Sequence, residues 1–308
     1  MKIYNSVEEF SPDFKVVLTL GTFDGVHIGH QSIVRQLNKN AQKIGGESVL
    51  LTFYPHPRYV IFPDDQKLKL LTTIEERSQM LENYGLDHLI IQEFTPEFSR
   101  IKSVNFVRDV LVNKLKVNKL IIGYDHHFGR NREGNFQELA NLSDLYGYEI
   151  QKIEPQRHQD VSVSSSKIRK LILEDEIKTA SDYLGHLFCL KGIVVKGKQR
   201  GRSIGYPTAN ILIDNKWKLL PTDGSYAVWA EVNGQKYKAM MNIGFNPTFP
   251  PEKRTVEVHI LDFNKDIYGK DMRVSVVQKL RNEKKFNSVG ELKKTLEIDE
   301  NKVRNILI

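Results

Sequence analysis

Val16-Val17-Leu18-Thr19-Leu20 runs without a break into Gly21-Thr22-Phe23-Asp24-Gly25-Val26-His27-Ile28-Gly29-His30, and residues 31–43 then continue with apolar residues at helical spacing. A short β-branched and leucine run reads as a buried strand. The glycines mark a turn, and the 3.6-residue period after them marks a helix. The stretch therefore predicts a strand, a glycine-rich loop and a helix N-terminus in succession.

The same alternation extends on either side. Strand-like runs lie at 48–53, 88–92, 119–123 and 149–153, with helical spacing between them at 74–84, 104–116 and 136–146. Thr72 and Thr73 stand where helix N-caps belong, ahead of Glu75 and Glu76. Strands alternating with helices predict a parallel sheet covered on both faces. Ligands of such α/β folds bind outside the carboxyl ends of the strands. Two more short helices, 166–174 and 176–184, would close a Rossmann-like first domain spanning 1–184.

The pattern then changes. Strand-like runs at 188–196, 225–232, 235–243, 255–262 and 272–280 follow one another without helices between them. Asn233-Gly234 separates two of them by two residues, the signal of a type I′ hairpin. These features predict an antiparallel β-barrel domain over 185–308, with one or two C-terminal helices over 288–307 packed outside it.

Bulk properties agree with two globular domains. The chain has 308 residues, 40% apolar and 27% charged, a composition of globular rather than disordered chains. No apolar run reaches the roughly 18 residues that span a bilayer. The first residues carry acids and no apolar signal core. Cys189 is the single cysteine, which excludes an internal disulfide and a Cys-rich zinc site and makes a cytoplasmic setting the expectation. The net charge of +7 attracts anions, but the cations are dispersed along the chain. That dispersion favours phosphorylated small molecules over a nucleic-acid track.

Two segments carry chemistry. In the first, backbone N–H groups at a helix start attract phosphate. Gly21, Gly25 and Gly29 let backbone approach a ligand closely. His27 and His30 lie one helical turn apart, so both rings can reach one phosphoryl group and stabilise its charge, protonated or as neutral donors. The bland alternative is a glycine turn with two surface histidines. Ser164-Ser165-Ser166-Lys167-Ile168-Arg169 supplies hydroxyls and cations at another helix start, although a serine run there is more often a cap. His126-His127 completes no metal-ligand set, since adjacent residues on a strand end point to opposite sides.

The second segment is Lys196-Gly197-Lys198-Gln199-Arg200-Gly201-Arg202-Ser203-Ile204-Gly205-Tyr206-Pro207-Thr208-Ala209-Asn210. Glycines and cations before a strand suit a phosphate-covering flap, or a solvated basic loop. Thr208 and Asn210 are two apart, so on extended backbone they face one side. Two neutral oxygens there suit a hard cation such as magnesium. Pro207 fixes the backbone before them. In Thr255-Val256-Glu257-Val258-His259-Ile260 the valines and Ile260 share one face, while Glu257 and His259 share the other.

The His-x-Gly-His loop resembles that of the nucleotidyltransferase superfamily. The fuller series narrows the resemblance to bacterial FAD synthetase: the loop, Tyr54-Pro55-His56-Pro57, Gly123-Tyr124-Asp125-His126-His127-Phe128-Gly129 and the Ser-Ser-Ser-Lys-Ile-Arg run. Gly-Arg-x-x-Gly-x-Pro-Thr-Ala-Asn, with Glu257 before His259 and Arg281-x-Glu283-x-x-Phe286, is similar to riboflavin kinase. Together they look like the bacterial bifunctional enzyme, which phosphorylates riboflavin to FMN and adenylylates FMN to FAD. The resemblance implies that riboflavin, FMN, FAD and ATP are its partners and that Mg2+ is a cofactor, and it implies neither nucleic acid nor membrane as a partner. For adenylyl transfer it implies charge stabilisation by His27, His30 and Arg169. Gly21, Phe23, Asp24, Ser164, Ser165 and Lys167 would contact ATP there, and His56, Pro57, Asp125 and Phe128 would border the flavin. For the kinase it implies Glu257 as general base. Gly197, Gly201, Arg202, Pro207, Thr208 and Asn210 would meet ATP, Thr208 and Asn210 would hold the metal, and Arg281 would contact flavin or phosphate.

Overall fold

The computed structural model describes residues 1–65, 67–123, 127–154, 157–158, 161–197, 200–245 and 254–308. It divides into two compact units, Met1–Ser165 and Ser166–Ile308.

In the first unit the strands are β1 (Lys2–Tyr4), β2 (Lys15–Leu20), β3 (Gly46–Tyr54), β4 (His88–Glu93), β5 (Val117–Gly123) and β6 (Glu149–Ile153). They form a sheet in the order β1-β4-β3-β2-β5-β6, and every pairing is parallel. The center of that order explains the sequence. From Val16 to Leu20 every residue of β2 is buried, as a strand covered on both faces requires. Helix α1 (Ile28–Ile44) buries Val34, Leu37 and Ala41 on one stripe. Helices α2 (Pro57–Ile61) and α3 (Ile74–Asn83) follow β3. Thr73 caps α3 through a capping box, its hydroxyl accepting from Glu76 N while Glu76 accepts from Thr73 N.

Two features differ from the expectation. The helix read at 104–116 is three α-helical residues, α5 (Ser103–Asn105), leading into a π-helix, Phe106–Lys114; α4 (Pro96–Ser99) precedes it. Leu115 N bonds to Val110 O, five residues back. Apolar spacing separates helix from strand but does not distinguish two helical windings over nine residues. Strand β1 has three residues, too few for any period to register. Helix α6 (Phe136–Tyr146) and a two-residue ladder of β7 (Arg157–His158) with β8 (Val161–Ser162) complete the unit.

The second unit starts with helices α7 (Ser165–Leu173), whose first residue closes the first unit, and α8 (Ile177–Leu184). Strands β9 (Phe188–Val195), β10 (Ala209–Leu212), β11 (Gly224–Val232), β12 (Gln235–Phe245), β13 (Arg254–Ile260) and β14 (Asp271–Asn282) close an antiparallel barrel in the order β10-β13-β12-β11-β14-β9. Asn233 and Gly234 both take left-handed backbone, φ 51 and φ 74, between the paired Val232 and Gln235, as a type I′ turn requires. Strand β10 is four residues long and has no alternation to read, so only its pairing reveals it. One helix, α9 (Val289–Ile306), follows. Its Val303, with Leu307 just beyond it, joins Tyr206, Ala227, Met240 and Leu261 in a cluster outside the barrel. The turn between α7 and α8 is tied to the barrel by Asp175, whose carboxylate accepts from Lys279 Nζ at 2.8 Å and from the Thr222 hydroxyl.

The barrel closes along the β9–β10 seam. At Gly192 an added Cβ would stand 2.3 Å from Leu212 O and 2.6 Å from Ile211 Cγ2. Gly192→Ala is expected to destabilise the barrel by about 1–3 kcal/mol, the range for overpacking. Trp217 and Trp229 are the two tryptophans, both in this unit, so urea unfolding followed by their fluorescence reads the shift. An unchanged midpoint would refute the seam's tightness.

Candidate active sites

The first site lies at the carboxyl end of β2. Gly21 N donates to Leu51 O at 3.0 Å, continuing the sheet for one more bond. The chain then leaves the sheet through Phe23 (φ 48) and Val26 (φ 40), two non-glycine residues in left-handed backbone. Such residues cost stability and persist only where their surroundings hold them. Here the holding group is Asp24, 1% exposed. Its carboxylate accepts from Leu71 N at 3.0 Å, Thr72 N at 3.0 Å and Thr72 Oγ1 at 3.1 Å. Ser165 Oγ donates to the carbonyl of Asp24 at 2.9 Å, which ties Ser165 to the loop.

His27 is the N-cap of α1, its Nδ1 accepting from His30 N at 3.4 Å. That bond leaves Nε2 as the N–H of a neutral His27 ring. The His27 and His30 rings stack at 3.7 Å between centroids, and Phe23 stacks on the other face of His30 at 4.5 Å. Three rings thus stand in a column beside the first-turn amides of α1, whose orphan N–H groups and positive helix end favour phosphate. Burial, with the nearby His27 ring and Arg77 guanidinium, holds the His30 pKa well below the ordinary histidine value. His30 is therefore a neutral donor at pH 7, and its buried Nδ1 has no hydrogen-bond partner.

The remaining residues expected around this site lie on other segments of the chain. Pro57 opens α2, and His56 caps it, its Nδ1 accepting from Arg58 N at 3.2 Å. Phe128 is 7% exposed and packs in the core against Phe106. Lys167 and Arg169 stand on the first turns of α7, in the second unit. Asp125 lies outside the described residues.

The second site is on the outer surface of the barrel. Val256, Val258 and Ile260 are buried inward, which turns Glu257 and His259 outward. Strand β10 pairs with β13 so that Asn210 stands opposite Glu257. Thr208 Oγ1 donates to Glu257 Oε2 at 3.2 Å. Asn210 Oδ1 is buried and accepts no hydrogen bond, a state that ordinarily costs about 1–3 kcal/mol. An oxygen kept bare beside a hydroxyl and a carboxylate fits a hard divalent cation. Gly197 lies against this group, since an added Cβ would come 2.1 Å from Asn210 Nδ2. Gly201 and Arg202 lie in the 3₁₀ turn Arg200–Ile204 that leads to Pro207, and the Pro207 carbonyl accepts from His259 Nδ1 at 2.7 Å. Beyond Pro207 opens a cleft of about 580 Å³, lined among others by Tyr206, His259, Asp262, Glu300 and Arg304. Sequence reading missed it, because its walls come from three separate segments. On β14, Arg281 Nε donates to the buried Asp299 carboxylate at 2.8 Å, and its guanidinium lies 5.6 Å over Phe286.

Among the described residues no group of three or more His, Cys, Asp or Glu side chains is placed to hold a metal ion, and no helix is long and apolar enough to cross a membrane.

The FAD synthetase family matches residues 10–167 and the riboflavin kinase family residues 184–307. A bifunctional riboflavin kinase/FMN adenylyltransferase of Listeria monocytogenes is 37% identical over 95% of this chain and 92% of its own. The protein of that name from Escherichia coli K12 is 34% identical, covering 97% of this chain and 96% of its own. A solved structure from Streptococcus pneumoniae, named as a macrolide-efflux protein, superposes with a TM-score of 0.90 at 32% identity, covering 98% of both chains.

The state of His30 is directly testable. Because the folded value is depressed, the unfolded chain binds more protons once the pH falls through about 6.5. Burial of this ring therefore costs nothing above that pH and progressively more below it. In an NMR titration, the His30 ring signal, identified by its loss in His30→Gln, is expected to stay in the neutral position from about pH 7.5 to about pH 6. A midpoint at the ordinary histidine value would contradict the buried, neutral assignment.

Proposed function

The chain belongs to the bifunctional riboflavin kinase/FMN adenylyltransferase family, and from that premise we propose how its two sites divide the work. The barrel phosphorylates riboflavin with ATP, giving FMN and ADP. The Rossmann-like unit then adenylylates FMN with a second ATP, giving FAD and pyrophosphate. We assign the kinase to residues 185–308 and adenylyl transfer to 1–184, including α7 and α8.

The meeting of Thr208, Asn210 and Glu257 carries the kinase assignment. Glu257 acts as general base: it takes the proton of the ribityl 5′-hydroxyl as that oxygen attacks the γ-phosphorus, and ADP leaves. The Thr208 bond keeps the carboxylate in place for the transfer. Thr208 and Asn210 would hold Mg2+, which supplies charge neutralisation for the triphosphate. Gly197, Gly201 and Arg202 cover the phosphates, and Pro207 opens onto the cleft, which takes the nucleoside. Arg281, held by Asp299, meets the flavin or its phosphate.

In the first unit the FMN phosphate attacks the α-phosphorus of ATP and pyrophosphate leaves, so no covalent enzyme intermediate is required. Catalysis is positioning and charge neutralisation. His27 and His30 donate to the phosphoryl oxygens, with Arg169 as the neutralising cation. Gly21, Phe23, Ser164, Ser165 and Lys167 contact ATP, and Asp24 shapes the loop that holds it. His56, Pro57, Asp125 and Phe128 border the flavin. A cytoplasmic setting belongs to the same reading and agrees with the single, buried cysteine, Cys189.

The sites separate cleanly by mutation. With riboflavin, ATP and magnesium, chromatography of the wild-type products is expected to show FAD. His27→Ala is expected to stop at FMN. Glu257→Gln is expected to lower FMN formation by about 100-fold or more, the scale of general-base catalysis, and to convert supplied FMN normally. Loss of both activities in either variant would refute the division.

A further inference from the structure

The loop that carries His27 and His30 is held from outside by residues that no motif names. Thr72 and Arg77 lie at the start of α3, 2% and 3% exposed. The Thr72 hydroxyl donates to Asp24 Oδ1 at 3.1 Å, accepts from Gly25 N at 3.0 Å, and stands 3.5 Å from Arg77 Nε. One donor and two lone pairs are thereby all engaged. Arg77 Nη2 lies 3.7 Å from the same Asp24 oxygen, and both side chains are almost fully buried. A buried carboxylate is tolerated when hydrogen-bonded and paired. Thr73, not Thr72, is the cap of α3, so Thr72 is left to the loop.

We propose that Thr72 and Arg77 are positioning residues for adenylyl transfer, clamping Asp24 and Gly25 so that the strained Phe23–Val26 turn delivers His27 and His30 to the phosphates. Phe23 and Val26 hold left-handed backbone at φ 48 and φ 40, which such side chains adopt only under external restraint. The three bonds to the Asp24 carboxylate and the one to Gly25 N supply that restraint on the residues between them. Val26 then hands the chain to the His27 cap, and Gln31 Nε2 closes the turn by donating to Val26 O at 2.9 Å. Phe23, at the other end, stacks on His30. Releasing the Thr72 hydroxyl removes one bond from Gly25 N and one from the Asp24 carboxylate, and the ring column shifts with the loop. Arg77, itself buried, also places a fixed positive charge near His30.

The inference rests on the adenylyl-transfer reading, and the full-length enzyme tests it with its own internal control. Wild-type enzyme must form FAD from FMN and ATP; if it does not, that reading fails rather than the clamp. Thr72→Val keeps the shape and removes the hydroxyl, and Thr72→Ser keeps the hydroxyl. Thr72→Val is expected to lower kcat for FMN adenylylation by about 10- to 100-fold, as misplacement of reacting groups does. KM for FMN should change by less than about threefold, because the lost interaction acts in the transition state. Thr72→Ser should recover most of the loss. Riboflavin phosphorylation by the barrel should match wild type in both. Should Thr72→Val fail to fold, Arg77→Lys, which keeps the charge without the two-nitrogen reach, should lower the same kcat while phosphorylation continues. In either variant the His30 ring signal should move, since its Phe23 stack loosens. Wild-type adenylylation kcat in a folded Thr72→Val or in Arg77→Lys, or equal losses in Thr72→Ser and Thr72→Val, overturns the proposal.

Discussion

Backbone amides can cradle a polyphosphate only if they are fixed before it arrives, and in the first unit that fixing depends on one buried carboxylate. Asp24 gathers two amides and a hydroxyl from the segment before α3, with a guanidinium close behind. The left-handed residues around it, the cap of α1 and the stacked rings follow from that anchor. Water cannot compete for these bonds, because the carboxylate is 1% exposed. The loop is therefore preorganised, as a site that stabilises developing charge without reorganising must be. Neutrality of His30 belongs to the same arrangement, since a charged ring would sit buried beside a second imidazole and a guanidinium.

The barrel handles phosphate in a different way. It has no parallel strand ends and no helix N-terminus at Thr208. Instead, side chains from neighbouring antiparallel strands meet on the outer face, where β10 brings Asn210 opposite Glu257. The registry that turns three valine and isoleucine side chains inward leaves Glu257 outward. A one-residue slip would bury the carboxylate and expose the core. Barrel closure and the acid–amide–hydroxyl group are thus consequences of one hydrogen-bond register. The bare Asn210 oxygen stands beside that group without a hydrogen bond of its own.

Most of the architecture was legible in residue order. Strands of five or more residues with strong apolar character, helices with a clear stripe, and the Asn233-Gly234 turn all appear where periodicity and turn chemistry put them. The pieces that escaped are short or depend on contact. Strands β1 and β10 have three and four residues and exist through their partners. The π-helix has the apolar spacing of an α-helix, and only the bond from Leu115 N to Val110 O distinguishes it. The packing of Phe128 on Phe106 is likewise a product of contact, since an aromatic ring beside glycines reads the same buried or exposed.

By itself the sequence determined the two fold types, the change between them before the barrel strands, and the chemical inventory of each site: paired histidines on a glycine loop, and hydroxyl, amide and carboxylate on extended segments. These are properties of local order, of period and of residue type, and they need no partner to be read. Tertiary structure decided the electrostatic state of that inventory. It placed Arg77 and Thr72 behind the loop, made His30 neutral, joined Thr208 to Glu257 across 49 positions and opened a cleft from three distant segments. Burial and cross-chain hydrogen bonds set those outcomes, and neither is a property of any stretch of residues taken alone.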